Sequence, residues 1–287
     1  MPQDAEPSLA GKTAIVTGAT AGVGKYTALG LAERGATLVI TGRDAKRLAD
    51  TVAWIKGKVP RASIETELAD FASLRQVRAM GERLIARHPK LALLVNNAGL
   101  IMPGRVTTED GFESTFQINH LAPFLLTILL LPALEAAAPS RIVTVSSRAS
   151  SYGWIDFDDL NGNRRFGLMN AYGQSKLANI MMTYALAGRL KDKGVTATAV
   201  HPGFVASNFG NKGALTRFGW SLLRPLQISE AEGARNSLYA ATAPAMEGVT
   251  GKYLIAMKPV RSNRISYDQE AVERLWRESA KLVGVSA

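Results

Sequence analysis

The sequence predicts an α/β fold: a single doubly wound parallel sheet of about seven strands, with helices on both faces. Three observations carry this expectation. β-type runs alternate with helix-type runs along most of the chain, the first run opens directly into a glycine-rich turn, and polar residues suited to ligand work follow one strand after another. Strand-helix-strand alternation with crossovers of this length calls for parallel pairing and right-handed connections, which leave helices on both faces.

The candidate strands are 12–17, 37–41, 63–67, 91–96, 141–146, 195–200 and 252–256, with helical stretches in most of the gaps. The run Thr13-Ala14-Ile15-Val16 leads into Thr17-Gly18-Ala19-Thr20-Ala21-Gly22-Val23-Gly24. Residues 25–34 then read as a helix, with Tyr26, Leu29, Gly30 and Ala32 available to face the sheet. Glycines let the backbone come close to a phosphate, and the start of a helix offers unpaired N–H donors and a positive dipole end. By geometry this is a dinucleotide site, although its Gly-x-x-x-Gly-x-Gly spacing departs from the commoner Gly-x-Gly-x-x-Gly.

Ligands of such sheets gather at the carboxyl ends of the strands. The glycine turn follows the first strand and Arg43 the second. Asn96, Asn97, Ala98 and Gly99 follow the fourth, Ser146 and Ser147 the fifth, and Pro202 and Gly203 the sixth.

Tyr172 and Lys176 stand four residues apart, a spacing that places both on one face of a helix. Lowering a phenol by about three pKa units takes roughly 4 kcal/mol, which one lysine charge at about 4 Å supplies at an effective dielectric of about 20. Taken alone, the pair reads more often as an ordinary tyrosine and lysine on a solvated helix. The glycine turn upstream favours proton chemistry instead.

With 287 residues, 47% of them hydrophobic, the chain has ample material for one large domain over 11–287, preceded by a flexible tail at 1–10. The first ten residues are polar, include Asp4 and Glu6, and lack the apolar core of a secretory signal, so a cytoplasmic location is expected. The apolar stretch 121–134 is interrupted by Pro123 and Pro132 and is short for a membrane span, which suits a buried helix. The absence of cysteine rules out disulfides and thiolate chemistry. The net charge of +10 is scattered rather than blocked, so no nucleic-acid partner is expected. Such a field favours anionic ligands, a phosphorylated cofactor among them, and allows weak contact with acidic lipid. His88, His120 and His201 lie far apart, and no metal site is expected.

Taken in order, the glycine turn, Asn96-Asn97-Ala98-Gly99, Asn119, the serine pair, Tyr172-x-x-x-Lys176 and Pro202-Gly203 make the chain resemble the short-chain dehydrogenase/reductases. The resemblance runs from about residue 11 to the C-terminus. Asp156-Phe157-Asp158-Asp159-Leu160, the stretch 171–179 and His201-Pro202-Gly203 are most similar to the retinol dehydrogenase and WW-domain oxidoreductase branch. The resemblance implies a Rossmann-type domain and a nicotinamide cofactor. It places Gly18, Thr20, Gly22, Val23, Gly24, Asn97, Ala98, Gly99, Tyr172, Lys176, Pro202, Gly203, Val205 and Ser207 against that cofactor, Ser207 standing where threonine is usual.

Carried onto matching positions, the family makes Tyr172 the general acid that protonates a carbonyl oxygen, or the base in the reverse direction. Lys176 would depress the phenol's pKa and hold the nicotinamide ribose. Ser147, the second of the pair, would hydrogen-bond the reacting oxygen, with Ser146 as competitor. Asn119 would position a water linking Lys176 to solvent, or serve as a helix asparagine bonding local backbone. Ser147 and Tyr172 are 25 positions apart, against about half that in much of the family, so 154–170 reads as an insertion forming a packed loop or short helix beside the site.

Cofactor choice rests on Gly42 and Arg43, where an acidic side chain would bind the adenosine ribose of NAD. A guanidinium there can pair with a 2′-phosphate, so NADP(H) is expected, with NAD(H) left open by Asp44. Asp44 either draws Arg43 away or meets a ribose hydroxyl. Glu67 and Leu68 fall where the family contacts adenine. Residues 206–228 mix apolar and basic side chains in a manner suited to a substrate lid, with a packed surface helix and a membrane-resting helix as alternatives. The expected substrate is a hydrophobic aldehyde, ketone or alcohol. The alternative class is a non-catalytic NAD(P)H-binding sensor or scaffold. The apolar stretches 121–134 and 179–190 suit either a homodimer seam or internal packing.

Overall fold

Side chains of the central strands are buried at almost every position, and their period-two alternation sends neighbours to opposite faces of the sheet. The computed structural model describes residues 8–205 and 228–286. Its strands are β1 (Thr13–Val16), β2 (Thr37–Gly42), β3 (Ile64–Leu68), β4 (Leu93–Asn96), β5 (Ser140–Val145), β6 (Val195–His201), β7 (Lys252–Ile255) and β8 (Lys258–Val260). They form one sheet in the order β3-β2-β1-β4-β5-β6-β7-β8. Pairing is parallel throughout except between β7 and β8.

The helices are α1 (Gly22–Glu33), α2 (Ala45–Lys56), α3 (Leu74–Arg87), α4 (Ser114–Ala136), α5 (Leu168–Arg189), α6 (Glu230–Thr242) and α7 (Gln269–Val283). Ile15, Val39, Leu94 and Ile142 enter one core together with Met80 of α3, Leu125 of α4, Leu177 of α5 and Leu275 of α7. Val16, Ile40, Val95 and Val143 enter the other, against Leu31 of α1, Leu48 of α2 and Ala240 of α6. The doubly wound expectation holds. The strand order reverses between β1 and β4, where such sheets open a crevice at their carboxyl ends.

The seven expected strands are present with ends shifted by a residue or two, and an eighth, β8, was not foreseen. Its hairpin turn consists of Ala256 and Met257, both at positive φ, 47° and 62°. Two-residue turns of this hand usually announce themselves by Asn-Gly or Asp-Gly. Alanine and methionine give no such signal.

Helix α4 is long and apolar enough to cross a membrane by length and composition, yet most of it is buried inside the fold. The expected buried helix is therefore part of the core. Both apolar stretches open to dimer or internal packing, in α4 and α5, are covered largely within the chain. Residues Gln117–Leu121 form a π-helical turn within α4. Proline has no N–H to give the carbonyl four residues earlier. Pro123 therefore leaves the carbonyl of Asn119 without its ordinary helical donor.

Trp276 of α7 meets the Phe124 ring edge-on at 4.8 Å and lies under the Arg189 guanidinium at 4.1 Å. It locks α7 to α4 and α5 on the face that carries the site. Trp276→Ala is expected to lower unfolding stability by about 3–5 kcal/mol, measured by urea denaturation; a loss below about 1 kcal/mol would contradict this packing role.

Candidate active site

The loops after β1 and β4 are stitched together by polar bonds that need no ligand. The buried Thr17 hydroxyl accepts from the backbone N–H groups of Asn97 and Ala98, both at 3.0 Å. The Asn97 amide donates back to the carbonyls of Thr17 at 2.9 Å and Gly18 at 3.2 Å. This close approach explains two glycines. A Cβ on Gly18 would lie 2.8 Å from the Ala98 Cα, and one on Gly24 would lie 2.2 Å from the Asn97 Nδ2.

Helix α1 starts without a side-chain cap, its N-cap being Ala21. Asp44, Ser73, Ser229 and Asp268 cap α2, α3, α6 and α7 respectively. The first N–H groups of α1 thus lack the acceptor that its neighbours have, at the end where the dipole is positive. A glycine turn that tolerates no side chains, followed by an uncapped helix, fits a dinucleotide pyrophosphate.

At the end of β2, Gly42 packs on the turn so closely that a Cβ would lie 2.7 Å from the Thr20 Cγ2. Arg43 is exposed beside it and makes no hydrogen bond or ion pair with the described residues. Asp44 instead accepts from the Arg47 N–H at 3.0 Å, capping α2. It leaves Arg43 alone. At the end of β3, the buried Glu67 carboxylate is held by Arg83 at 2.7 Å and by Arg87, both on α3. That commitment departs from the adenine contact expected of Glu67. Leu68 is exposed at the same strand end.

Beyond β5, the two serines take different partners. Ser146 is buried and donates to the Lys176 carbonyl at 2.7 Å, anchoring α5 to the strand. Ser147 caps the short 3-10 turn Arg148–Ser151, accepting from the Ala149 N–H at 3.2 Å, and its hydroxyl is near enough to the Tyr172 phenol to lower the phenol's pKa. Of the two, Ser147 is the one that faces the phenol.

Lys176 is almost wholly buried and its Nζ donates to the Val145 carbonyl at 3.0 Å. Its ammonium stands 5.7 Å from the centre of the Tyr172 ring. Burial brings Lys176 down from 10.5 to about 8. Burial also pushes the Tyr172 phenol up, while Ser147 pulls the other way. The expectation that Lys176 depresses this phenol is not met in this geometry. The lysine charge points at a strand carbonyl rather than at the hydroxyl, and desolvation dominates the phenol.

Asn119 lies in the π-helical turn of α4, and its amide grips the backbone of Leu100, accepting from the N–H at 2.7 Å and donating to the carbonyl at 2.8 Å. It also donates to the Ser175 hydroxyl at 3.0 Å. The side chain is neither a local helix cap nor free. Gly99 fits between this amide and the lysine: a Cβ there would lie 3.2 Å from the Asn119 Oδ1 and 3.3 Å from the Lys176 Nζ.

After β6, Pro202 and Gly203 turn the chain, and Val205 forms a bridge to Ile228. The lid expected at 206–228 and the cofactor residue Ser207 lie outside the described residues, apart from Ile228 at its end. The insertion at 154–170 is a packed loop tied to α5: the Gln174 side chain accepts from the Asp156 N–H and donates to the Leu160 carbonyl, both at 3.0 Å.

Sequence reasoning passed over residues 148–153, which form the site wall next to Tyr172. A Cβ on Gly153 would lie 2.4 Å from the Gly173 carbonyl oxygen, and one on Gly173 would lie 3.2 Å from the Tyr152 ring. The signal was the pair of glycines, one before the inserted loop and one directly after the tyrosine.

A parallel sheet with its strand order reversing at a glycine turn, and a serine, tyrosine and lysine gathered beside it, is the arrangement of a nicotinamide-dependent oxidoreductase. The family model for the short chain dehydrogenase matches residues 12–215. The chain is 40% identical over 275 residues to retinol dehydrogenase 12 of Mus musculus, covering 96% of this chain and 87% of that protein. It is 40% identical over 287 residues to retinol dehydrogenase 13 of Homo sapiens, covering 98% and 87%. It is similar in structure to the Pseudomonas aeruginosa RhlG/NADP active-site complex, with a TM-score of 0.70, 26% identity, and coverage of 86% of this chain and 95% of that one. The chain belongs to the short-chain dehydrogenase family. It is an NAD(P)-dependent dehydrogenase/reductase acting on small-molecule alcohols or carbonyls.

The buried lysine sets a pH dependence. Its folded pKa of about 8 lies below the ordinary 10.5, so between those values the unfolded chain binds more protons and stability rises with pH. That contribution is lost as pH falls through about 8. The stability of Lys176→Met relative to the wild type is expected to be most favourable below pH 8 and to become less favourable towards pH 10.5. Urea denaturation across this range checks it; a stability difference independent of pH would contradict the buried-ammonium reading.

Proposed function

We propose that this enzyme is an NADP(H)-preferring oxidoreductase that interconverts a hydrophobic aldehyde or ketone with its alcohol, with Tyr172 as general acid/base. The observation that carries the reading is the placement of Ser147, at the end of β5, beside the Tyr172 phenol, one helical turn from buried Lys176. When bound, the nicotinamide supplies or accepts the hydride. Everything else is done by the chain.

Tyr172 delivers its proton to the carbonyl oxygen, and Ser147 donates a hydrogen bond to that same oxygen. With the phenol pushed up by burial, Tyr172 is held in the protonated form that carbonyl reduction consumes. Lys176, at about 8, is close enough to neutral to return a proton through water. The Asn119 carbonyl, deprived of a helical donor by Pro123, is suited to hold that water. The roles of Tyr172 and Lys176 thus join in one relay: the phenol gives the proton and the lysine side replaces it.

Gly18, Gly22 and Gly24, with the uncapped start of α1, would receive the pyrophosphate, flanked by Thr20 and Val23. Asn97, Ala98 and Gly99 would line the nicotinamide side with Pro202, Gly203, Val205 and Ser207. Arg43, without a partner among the described residues, is available for a 2′-phosphate. Leu68 replaces Glu67 as the residue that would meet adenine. Tyr152, Trp154 and Phe204 leave aromatic surface exposed along the loops after β5 and β6, which suits a hydrophobic substrate. A cytoplasmic site of action belongs to the same reading.

Two outcomes test this. Tyr172→Phe is expected to lower kcat for NADPH-dependent reduction of all-trans-retinal, within a panel of hydrophobic carbonyls, by about 10²–10⁴; full retention of turnover would remove the catalytic role. Arg43→Ala is expected to raise KM for NADPH by about tenfold to hundredfold and leave KM for NADH unchanged. A wild-type specificity constant higher for NADH than for NADPH would overturn the cofactor preference.

A further inference from the structure

Three backbone carbonyls of the turn that follows Ser147 point at a single amide from a remote part of the chain. The Asn263 Nδ2 lies 3.2 Å from the Ser150 oxygen, 3.2 Å from the Ser151 oxygen and 2.8 Å from the Gly153 oxygen. Three partially negative oxygens brought together need a positive hydrogen between them. Asn263 supplies it, while its own Oδ1 accepts from the Ile265 N–H at 3.2 Å.

The segment bearing Asn263 is itself referenced to α5. The Tyr184 hydroxyl of α5 bonds the Ser262 hydroxyl at 2.8 Å, Ser262 bonds Ser266 at 2.7 Å, and the Tyr184 and Tyr267 rings stack at 5.5 Å. One short strap therefore grips the helix that carries Tyr172 and Lys176 and the turn whose cap is Ser147. Between the two grips, Gly153 lies against the Gly173 carbonyl with no space for a Cβ. The Asn263 amide adds a tie from outside the turn to the bonds that the turn makes within itself.

We propose that Asn263 is a positioning residue for the reaction, holding the Arg148–Ser151 turn so that Ser147 stays beside Tyr172. The inference rests on the catalytic roles given above to Ser147 and Tyr172. Asn263 touches neither substrate nor cofactor in this account. Its effect on the chemistry passes through the loop, since a misplacement of about 1 Å at a reacting group costs about a hundredfold in rate.

Asn263→Asp keeps the shape of the side chain, removes the donor and sets a carboxylate against three carbonyls. Asn263→Ala removes the donor without adding charge and serves if the aspartate variant does not fold. Either is expected to lower kcat for NADPH-dependent reduction of all-trans-retinal by about tenfold to hundredfold, with the dissociation constant for NADPH unchanged. Ser147 lowers the Tyr172 pKa, so its displacement is expected to move the basic limb of kcat/KM for reduction to higher pH. Hydrogen exchange of the amides of residues 148–153 is expected to rise at least about tenfold in Asn263→Ala, while α5 keeps its protection.

Wild-type kcat and an unmoved pH limb in the variants would overturn the proposal, even if thermal stability fell, because stability alone would then be its role. Unchanged exchange over 148–153 would overturn it independently of any turnover. Tyr172→Phe run in parallel separates the two levels. If that variant stays active, the catalytic reading fails, and the exchange result still judges whether Asn263 holds the loop.

Discussion

The site depends on how the start of α5 is bolted to the end of β5. Two bonds cross in opposite directions: the Ser146 hydroxyl donates to the Lys176 carbonyl, and the Lys176 ammonium donates to the Val145 carbonyl. Both lie in a nearly dry interior, where leaving either partner unpaired is costly. With strand and helix locked in this way, the next residue on the strand side, Ser147, meets the phenol one turn earlier on the helix. The reactive pair is a consequence of the anchor below it.

The same division of labour repeats around the crevice. Thr17 and Asn97 fasten the loops after β1 and β4, and Asn119 fastens the loop after β4 to α4 and, through Ser175, to α5. These buried amides and hydroxyls are used on backbone, which leaves the exposed groups, Arg43 and the uncapped start of α1, for a ligand. Glycines stand where two such fastened segments approach too closely for a side chain, at Gly18 against Ala98 and at Gly153 against Gly173. Rigidity in the support and openness at the rim come from different residue types.

Much of this was legible in the sequence because it follows from period and spacing. The strand runs, the glycine turn and the four-residue interval of Tyr172 and Lys176 each carry their own signal, whereas the choice of Ser147 over Ser146 came from the family resemblance. What sequence spacing could not give was the direction of a side chain. Lys176 lies on the same helix face as Tyr172, yet its ammonium is claimed by Val145, and Glu67 ends a strand as expected, yet is claimed by Arg83 and Arg87. β8 escaped because Ala256 and Met257 adopt a turn conformation usually signalled by glycine or asparagine. Asn263 escaped because it is more than a hundred residues from the turn it holds.

The central claim is that Tyr172 is a desolvated phenol whose proton affinity is tempered by Ser147. Site-resolved titration of the Tyr172 ring carbon by NMR, in the free protein and in Ser147→Ala, addresses it most directly. The account predicts that Tyr172 titrates above the ordinary 10.0 in the wild type and higher still when the serine hydroxyl is removed. Titration at or below the ordinary value, or no response to the loss of Ser147, would contradict it.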